Sequence, residues 1–171
     1  MTDRTSTDFD DVDLALLESI ESDFDVSLET LAEELGLSKS AVHYRVNKLK
    51  DKGVITGVTA DIDPEPFGLE MVAITEVSVT HEEGYSEDIG QELADIEGVE
   101  QVYYTMGDVD FVTITRVQNR DQMNDVIESM VAIHGVNETS SRFVMNEIES
   151  DASVLTNMSD DIREVLLDGD G

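Results

Sequence analysis

The chain changes its apolar period once, around the only two prolines it contains, Pro64 and Pro66. Before them, apolar residues recur at helical spacing in three short runs. After them, runs that alternate like strands interchange with runs spaced like helices. Each run is too short to bury its apolar face alone, so the two halves have to build two separate cores. The prolines, with Gly68 close behind, mark a hinge. The expected division is an acidic N-terminal tail (1–10), a helical domain (11–62), a hinge (63–70), a mixed domain (71–148) and an acidic C-terminal tail (149–171).

The first run places Leu14, Leu17 and Ile20 on one face of a helix over Asp11–Glu21, with carboxylates at its start where the helix dipole favours them. Ser27 reads as the N-cap of a second helix whose Leu28, Leu31, Ala32 and Leu35 fall at i, i+3, i+4 and i+7. Gly36 ends that helix, and Ser38 caps a third within three residues of the stop. Two short helices joined by a glycine-containing turn form the helix-turn-helix pattern. In the third helix Val42, Val46 and Leu49 share the inner face, so Ser40, Tyr44 and Asn47 point outward, flanked by His43 and Lys48. Beyond Gly53 the residues Val54 to Ile62 are rich in β-branched side chains, which predicts a short strand or wing.

Charge singles out the third helix. The chain has 40 acidic against 10 basic residues, a net charge of -30. Yet Lys39, Arg45, Lys48, Lys50 and Lys52 lie between Ser38 and Lys52, opposed only by Asp51, so this segment is locally cationic. One basic helix in so acidic a chain points to an anionic partner. Hydroxyl, amide, imidazole and ammonium groups on its outer face are the groups that read base edges and grip phosphates. The candidate DNA-binding residues are therefore Ser38, Lys39, Ser40, His43, Tyr44, Arg45, Asn47 and Lys48. The self-repulsion of the remaining chain is screened where the Debye length shrinks to about 3 Å in molar salt. The composition thus predicts a folded protein from a halophile that keeps salt in its cytoplasm.

Beyond the hinge, Met71–Thr80 reads as a strand and Tyr85–Asp95 as a helix. Strands follow over Val99–Met106 and Phe111–Val117, separated by the turn Gly107-Asp108-Val109-Asp110. Asp121–Ile133 is an amphipathic helix, and Val136–Met145 is the last strand. The order β-α-β-β-α-β is the ferredoxin-like arrangement. One sheet with helices on one face leaves the other face bare, and pairing with a second copy is the economical cover.

The run LSKSAVHYRVNKLKDKGVITGVTADIDPEPFG, followed by a domain bearing YYTMGDVDF and HGVNETSSRFVM, resembles the Lrp/AsnC family of feast-or-famine regulators, over Asp11 to Ile148. The resemblance implies an α+β protein: an N-terminal winged helix-turn-helix domain followed by a ferredoxin-like βαββαβ (RAM) domain. It further implies a transcription regulator that binds double-stranded DNA, forms homodimers that assemble to octamers, and takes an amino acid or related metabolite between dimers. The effector site it implies involves Thr105, Met106, Gly107, Asp108 and Asp110 of the turn, with Asn137, Thr139 and Ser141 of the last strand. Backbone amides beside Gly107 suit an α-carboxylate, and Asp108 suits an ammonium.

Two other readings share the layout: a subunit resembling siroheme decarboxylase, and a DNA-compacting protein of low sequence preference. Against the first stands the retained basic helix. The chain has no cysteine, hence no disulfide or thiolate, and its three histidines, His43, His81 and His134, fall in separate elements. The expectation is no catalytic residue, no cofactor, no metal and no membrane, in a cytoplasmic protein. Outside the family pattern lies the tail from Asn146, in which Arg163 is the only basic residue. It is expected to be solvated or disordered, with a short helix over Met158–Leu167, or else to serve as an intersubunit arm.

Overall fold

The computed structural model describes residues 9–23, 25–58, 60, 62–80, 85–148 and 153–168. The acidic stretch 1–8, His81 and the C-terminal tail residues 149–152 and 169–171 lie outside the described residues. The described residues within Met1–Asp61 and Ser150–Gly171 form one unit, and those within Ile62–Glu149 form a second.

The first, helical unit contains α1 (Asp11–Ser22), α2 (Leu28–Glu34) and α3 (Lys39–Asp51), followed after the second unit by α4 (Asp160–Asp168). Each of the first three starts on a side-chain cap: Asp10, Ser27 and Ser38 accept the amides of Asp13, Thr30 and Ala41. The turn between α2 and α3 needs Gly36, whose backbone is left-handed with φ +63°. Beside it the Leu37 amide returns to the Ala32 carbonyl at 2.9 Å. Leu16, Leu17, Leu31, Ala32, Val42 and Leu49 form the buried core, with Val46 partly buried against it. The predicted strand over Val54–Ile62 does not form in the described residues. Val54 and Ile55 instead direct their amides back to the Leu49 carbonyl and pack on the helical core.

The second, sheet unit runs β1 (Met71–Val79), α5 (Tyr85–Ala94), β2 (Val99–Tyr104), β3 (Phe111–Val117), α6 (Arg120–Ala132) and β4 (Val136–Phe143). The antiparallel sheet has the order β2-β3-β1-β4, as a β-α-β-β-α-β chain requires. Ala73, Val77, Phe111 and Val117 face α5 and α6, meeting Ile89, Leu93, Met123, Val126 and Met130 in one core. Gly98, at φ +91°, leads into β2, and a Cβ there would stand 3.0 Å from Val117 Cγ1. The strand period of two puts Ile74, Glu76, Val112, Ile114 and Tyr103 on the opposite face. There Ile74 is 37 % and Tyr103 53 % exposed, and Arg142 binds Glu76 at 2.5 Å.

Candidate nucleic-acid interface and effector turn

The apolar stripe of α3 decides which side chains it can offer to a partner. Burying Val42 and Leu49 against α1 and α2 leaves Ser40, His43, Tyr44 and Asn47 exposed, with Tyr44 at 69 %. Ser38 and Ser40 are coupled through their hydroxyls at 3.0 Å at the start of the helix, beside its first-turn amides. Asn47 lies one turn from His43, its Nδ2 3.3 Å from the ring Nδ1, so amide and imidazole form one exposed polar pair. Lys48, in the last turn, is partly buried. Lys39 pairs with Glu29 of α2 at 2.8 Å, and both side chains are exposed. Such a pair is held weakly enough to be exchanged for a phosphate.

Arg45 belongs to a different set. Its Nη1 reaches Asp10 Oδ2 at 2.7 Å and Asp13 Oδ1 at 2.6 Å, and Asp13 is only 3 % exposed. The hydrogen bond that Arg45 donates to Asp10, with the one it donates to Asp13, raises the guanidinium pKa. Burial pushes the Asp10 carboxyl up, but the hydrogen bonds it accepts from Arg45 and from the Asp13 and Val12 amides, with the Arg45 charge, together outweigh burial and hold the group below its ordinary range. Arg45 therefore fastens α3 to the start of α1 and is withdrawn from the outward set expected for it. Helical spacing could not reveal this, because the partners lie 32 and 35 residues away.

In the sheet unit, the β2–β3 turn and the start of β4 meet at one end of β1. The Asp110 amide donates to the Val77 carbonyl at 3.2 Å, and its carboxylate accepts the Val79 amide at 2.8 Å. Thr80 donates its hydroxyl to Asn137 Oδ1 at 3.0 Å, and Thr139 pairs with Val77. Thr105 closes the turn by donating its amide to the Asp110 carbonyl and its hydroxyl to the Val109 carbonyl. Asp110 is thereby a structural clamp. Met106, 97 % exposed, and Asp108 form the open rim. Gly107 has a φ of +158°, close to extended, and a Cβ built there meets nothing within 4 Å. The space around it is open, so any preference for glycine there comes from the backbone φ and not from packing.

Ser141 stands apart from this group. It bonds Thr75 at 2.8 Å. Thr75 lies four residues along β1 from Val79, two full pleats away from the turn. One cluster escaped sequence reasoning: Arg116, its side chain 12 % exposed, binds Glu100 and Glu147 at 2.8 Å each. The hydrogen bond it donates to Glu147 is the main cause of its raised pKa, and Arg116 in turn holds the Glu147 carboxyl low. Among the described residues no three His, Cys, Asp or Glu side chains are grouped to hold a metal, and no helix is long and apolar enough to cross a membrane.

Comparison with known proteins matches the two units separately. Residues 9–56 match the winged helix-turn-helix DNA-binding family, and residues 72–154 match the Lrp/AsnC ligand binding domain. The HTH-type transcriptional regulator FL11 of Pyrococcus horikoshii is 32 % identical over 136 residues, covering 80 % of this chain and 89 % of that protein. The HTH-type transcriptional regulator LysM of Sulfurisphaera tokodaii is 34 % identical over 138 residues, covering 81 % and 96 %. A transcriptional regulator of Neisseria meningitidis, crystallised as a complex with L-Met, superposes with a TM-score of 0.81 at 23 % identity, over 87 % of this chain and 97 % of that one.

Proposed function

The chain belongs to the Lrp/AsnC family of helix-turn-helix transcriptional regulators, and from that premise we propose which surfaces carry its regulation. The exposed row Ser40, His43, Tyr44 and Asn47 enters the major groove of double-stranded DNA and reads base edges. Ser38 and the first-turn amides of α3, with Lys39 and Lys48, take the phosphates. The observation that carries this reading is the outward polar row on the one cationic segment of a chain with a net charge of -30.

The effector is an amino acid or a related small metabolite. The rim formed by Met106, Gly107 and Asp108, with Asn137 and Thr139 beside it, offers backbone amides to its carboxylate and the Asp108 carboxylate to its ammonium. The relative bound to L-Met supports that chemical class. The exposed sheet face of Ile74, Tyr103, Val112 and Ile114 pairs with a second copy, so that the effector site sits in a homo-oligomer. In the cytoplasm of a halophile, counterion release contributes little to DNA affinity, so base contacts and DNA shape must supply it.

Selection of bound sequences from a random duplex library, followed by gel shifts in molar KCl, tests the DNA surface. Tyr44→Ala combined with Lys48→Ala is expected to weaken the selected site by at least ~10-fold, the equivalent of about 1.4 kcal/mol, without changing the oligomer on gel filtration. Unchanged affinity, or loss of all wild-type binding above about 0.3 M KCl, overturns the assignment. Thermal shifts against the twenty amino acids in high KCl test the effector, because a ligand that binds only the folded state raises its stability.

A further inference from the structure

Residues 153–168 pack within the helical unit, and neither DNA reading nor effector binding uses them. The match to the family's C-terminal domain ends at residue 154, so α4 lies beyond it. Three successive amides, those of Val154, Leu155 and Thr156, donate to the Glu21 carboxylate of α1 at 2.6, 2.8 and 3.3 Å. Leu155 packs on the core of Leu16, Leu17 and Val42. Arg163 of α4 donates to the Leu155 carbonyl at 2.9 Å and pairs with Glu18 of α1. The segment that follows the recognition helix joins the same assembly: Val54, Ile55 and Val58 line a cavity of about 490 Å³ together with Leu155, Met158 and Leu166. That segment has no strand partner among the described residues, so the C-terminal residues supply packing that a paired wing would otherwise provide.

The Arg163–Glu18 pair favours this docking, but the excess of negative charge on both partners works against it. Asp160, Asp161 and Glu164 of α4 are brought to a helix that itself carries Asp11, Asp13, Glu18 and Glu21. Arg163 is the sole basic residue of the C-terminal extension. Apolar burial and the hydrogen bonds to Glu21 hold the segment, while like-charge repulsion pushes it off. Repulsion between exposed charges reaches about 10 Å at 0.1 M salt and about 3 Å at 1 M. The balance between the two therefore turns on ionic strength.

We infer that residues 153–168 form a salt-gated clasp, seated on α1 and on Val54–Val58 in molar salt and released when ionic strength falls. Its seating fixes the chain immediately after the recognition helix, so the geometry of the DNA-binding unit is coupled to salt through a contact remote from the DNA-reading face of α3.

Hydrogen–deuterium exchange of the full chain across a KCl series tests this. Between about 3 M and about 0.3 M KCl, amides of residues 154–167 are expected to exchange at least ~10-fold faster while those of α3 and of the sheet stay protected. Protection that does not change, or that is lost only together with α3, overturns the inference. The triple variant Asp160→Asn, Asp161→Asn, Glu164→Gln is expected to keep the segment protected at the lower salt; if it follows the unaltered chain, charge does not gate the clasp. Leu155→Asp is expected to expose residues 154–167 at every salt concentration, and unchanged exchange in that variant overturns the docking contact itself.

Discussion

Among the described residues the helical unit buries six core side chains, mostly leucine, between three short helices, whereas the sheet unit buries eleven between four strands and two helices. A core that small leaves little to offset the ordering of its chain. Around it the helical unit sets side-chain caps on its first three helices, an arginine clamped by two carboxylates, and a C-terminal segment returned onto α1. The sheet unit relies on register and packing: β1 is paired on both sides, and its inward side chains meet α5 and α6 directly. Its ion pairs, Arg116 with Glu100 and Glu147, and Arg142 with Glu76, lie outside that core. The lesson is that ion pairs brace the core in the first unit and lie outside it in the second.

The sharpest way to break this contrast is to empty the larger core. Phe111 is 1 % exposed and lies 5.4 Å, centroid to centroid, from Tyr104. Phe111→Ala is expected to lower the sheet unit's stability by about 3–5 kcal/mol. In calorimetry at high KCl the helical unit's transition should stay where it was. If both transitions fall together, the two units do not stand independently.

Next in size is the clamp on α3. Arg45→Met keeps the aliphatic stem but leaves the carboxylate of Asp13 buried without its cation. The expected cost to the helical unit is about 1–3 kcal/mol. DNA affinity measured well below the melting point should hardly move, unlike that of Tyr44→Ala with Lys48→Ala. A large loss of affinity with unchanged melting would return Arg45 to the DNA face. The same clamp sets an acid limit. The folded-state pKa of Asp10 is depressed, so its contribution is full above the ordinary carboxylate value near 4 and disappears as pH falls through the lowered one. Carbon-13 titration should find Asp10 protonating after the exposed aspartates; protonation in step with them would mean that the clamp is open in solution.

The smallest expected effect runs in the opposite direction. Thr113 and Thr115 are fully buried on the inward face of β3, and their hydroxyls have no hydrogen-bond partner among the described residues. Thr113→Val removes an unsatisfied polar atom at nearly constant volume, and is expected to raise the sheet unit's stability by roughly 1 kcal/mol. Denaturant midpoints decide it: a fall would show that the hydroxyl is satisfied in solution, and that this core too depends on a polar contact.

Elements whose signals are local were legible before any coordinates. The caps Ser27 and Ser38, the stop at Gly36, and the alternation of Phe111–Val117 are set by neighbours within a few residues, and each element formed with its ends shifted by no more than two. The outward row of α3 followed from the same arithmetic, because a rotation of about 100° per residue fixes which side chains oppose Val42 and Leu49.

Missed features depend on pairs distant in sequence. Val54–Ile62 had the residues of a strand but, among the described residues, found no partner strand, and β propensity without pairing leaves a chain that packs in another way. The C-terminal tail had the charge of a solvated segment, yet Glu21 takes up its amides from 133 to 135 positions away and Leu155 reaches the core. By itself the sequence determined the order of elements, the family, and which helix carries the cationic segment, since period, capping and local charge are properties of short stretches. Tertiary structure alone decided that Arg45 turns inward, that Ser141 binds Thr75, and that an acidic tail sits on an acidic helix. Each of those depends on which carboxylate, hydroxyl or apolar surface the fold brings within a few ångströms.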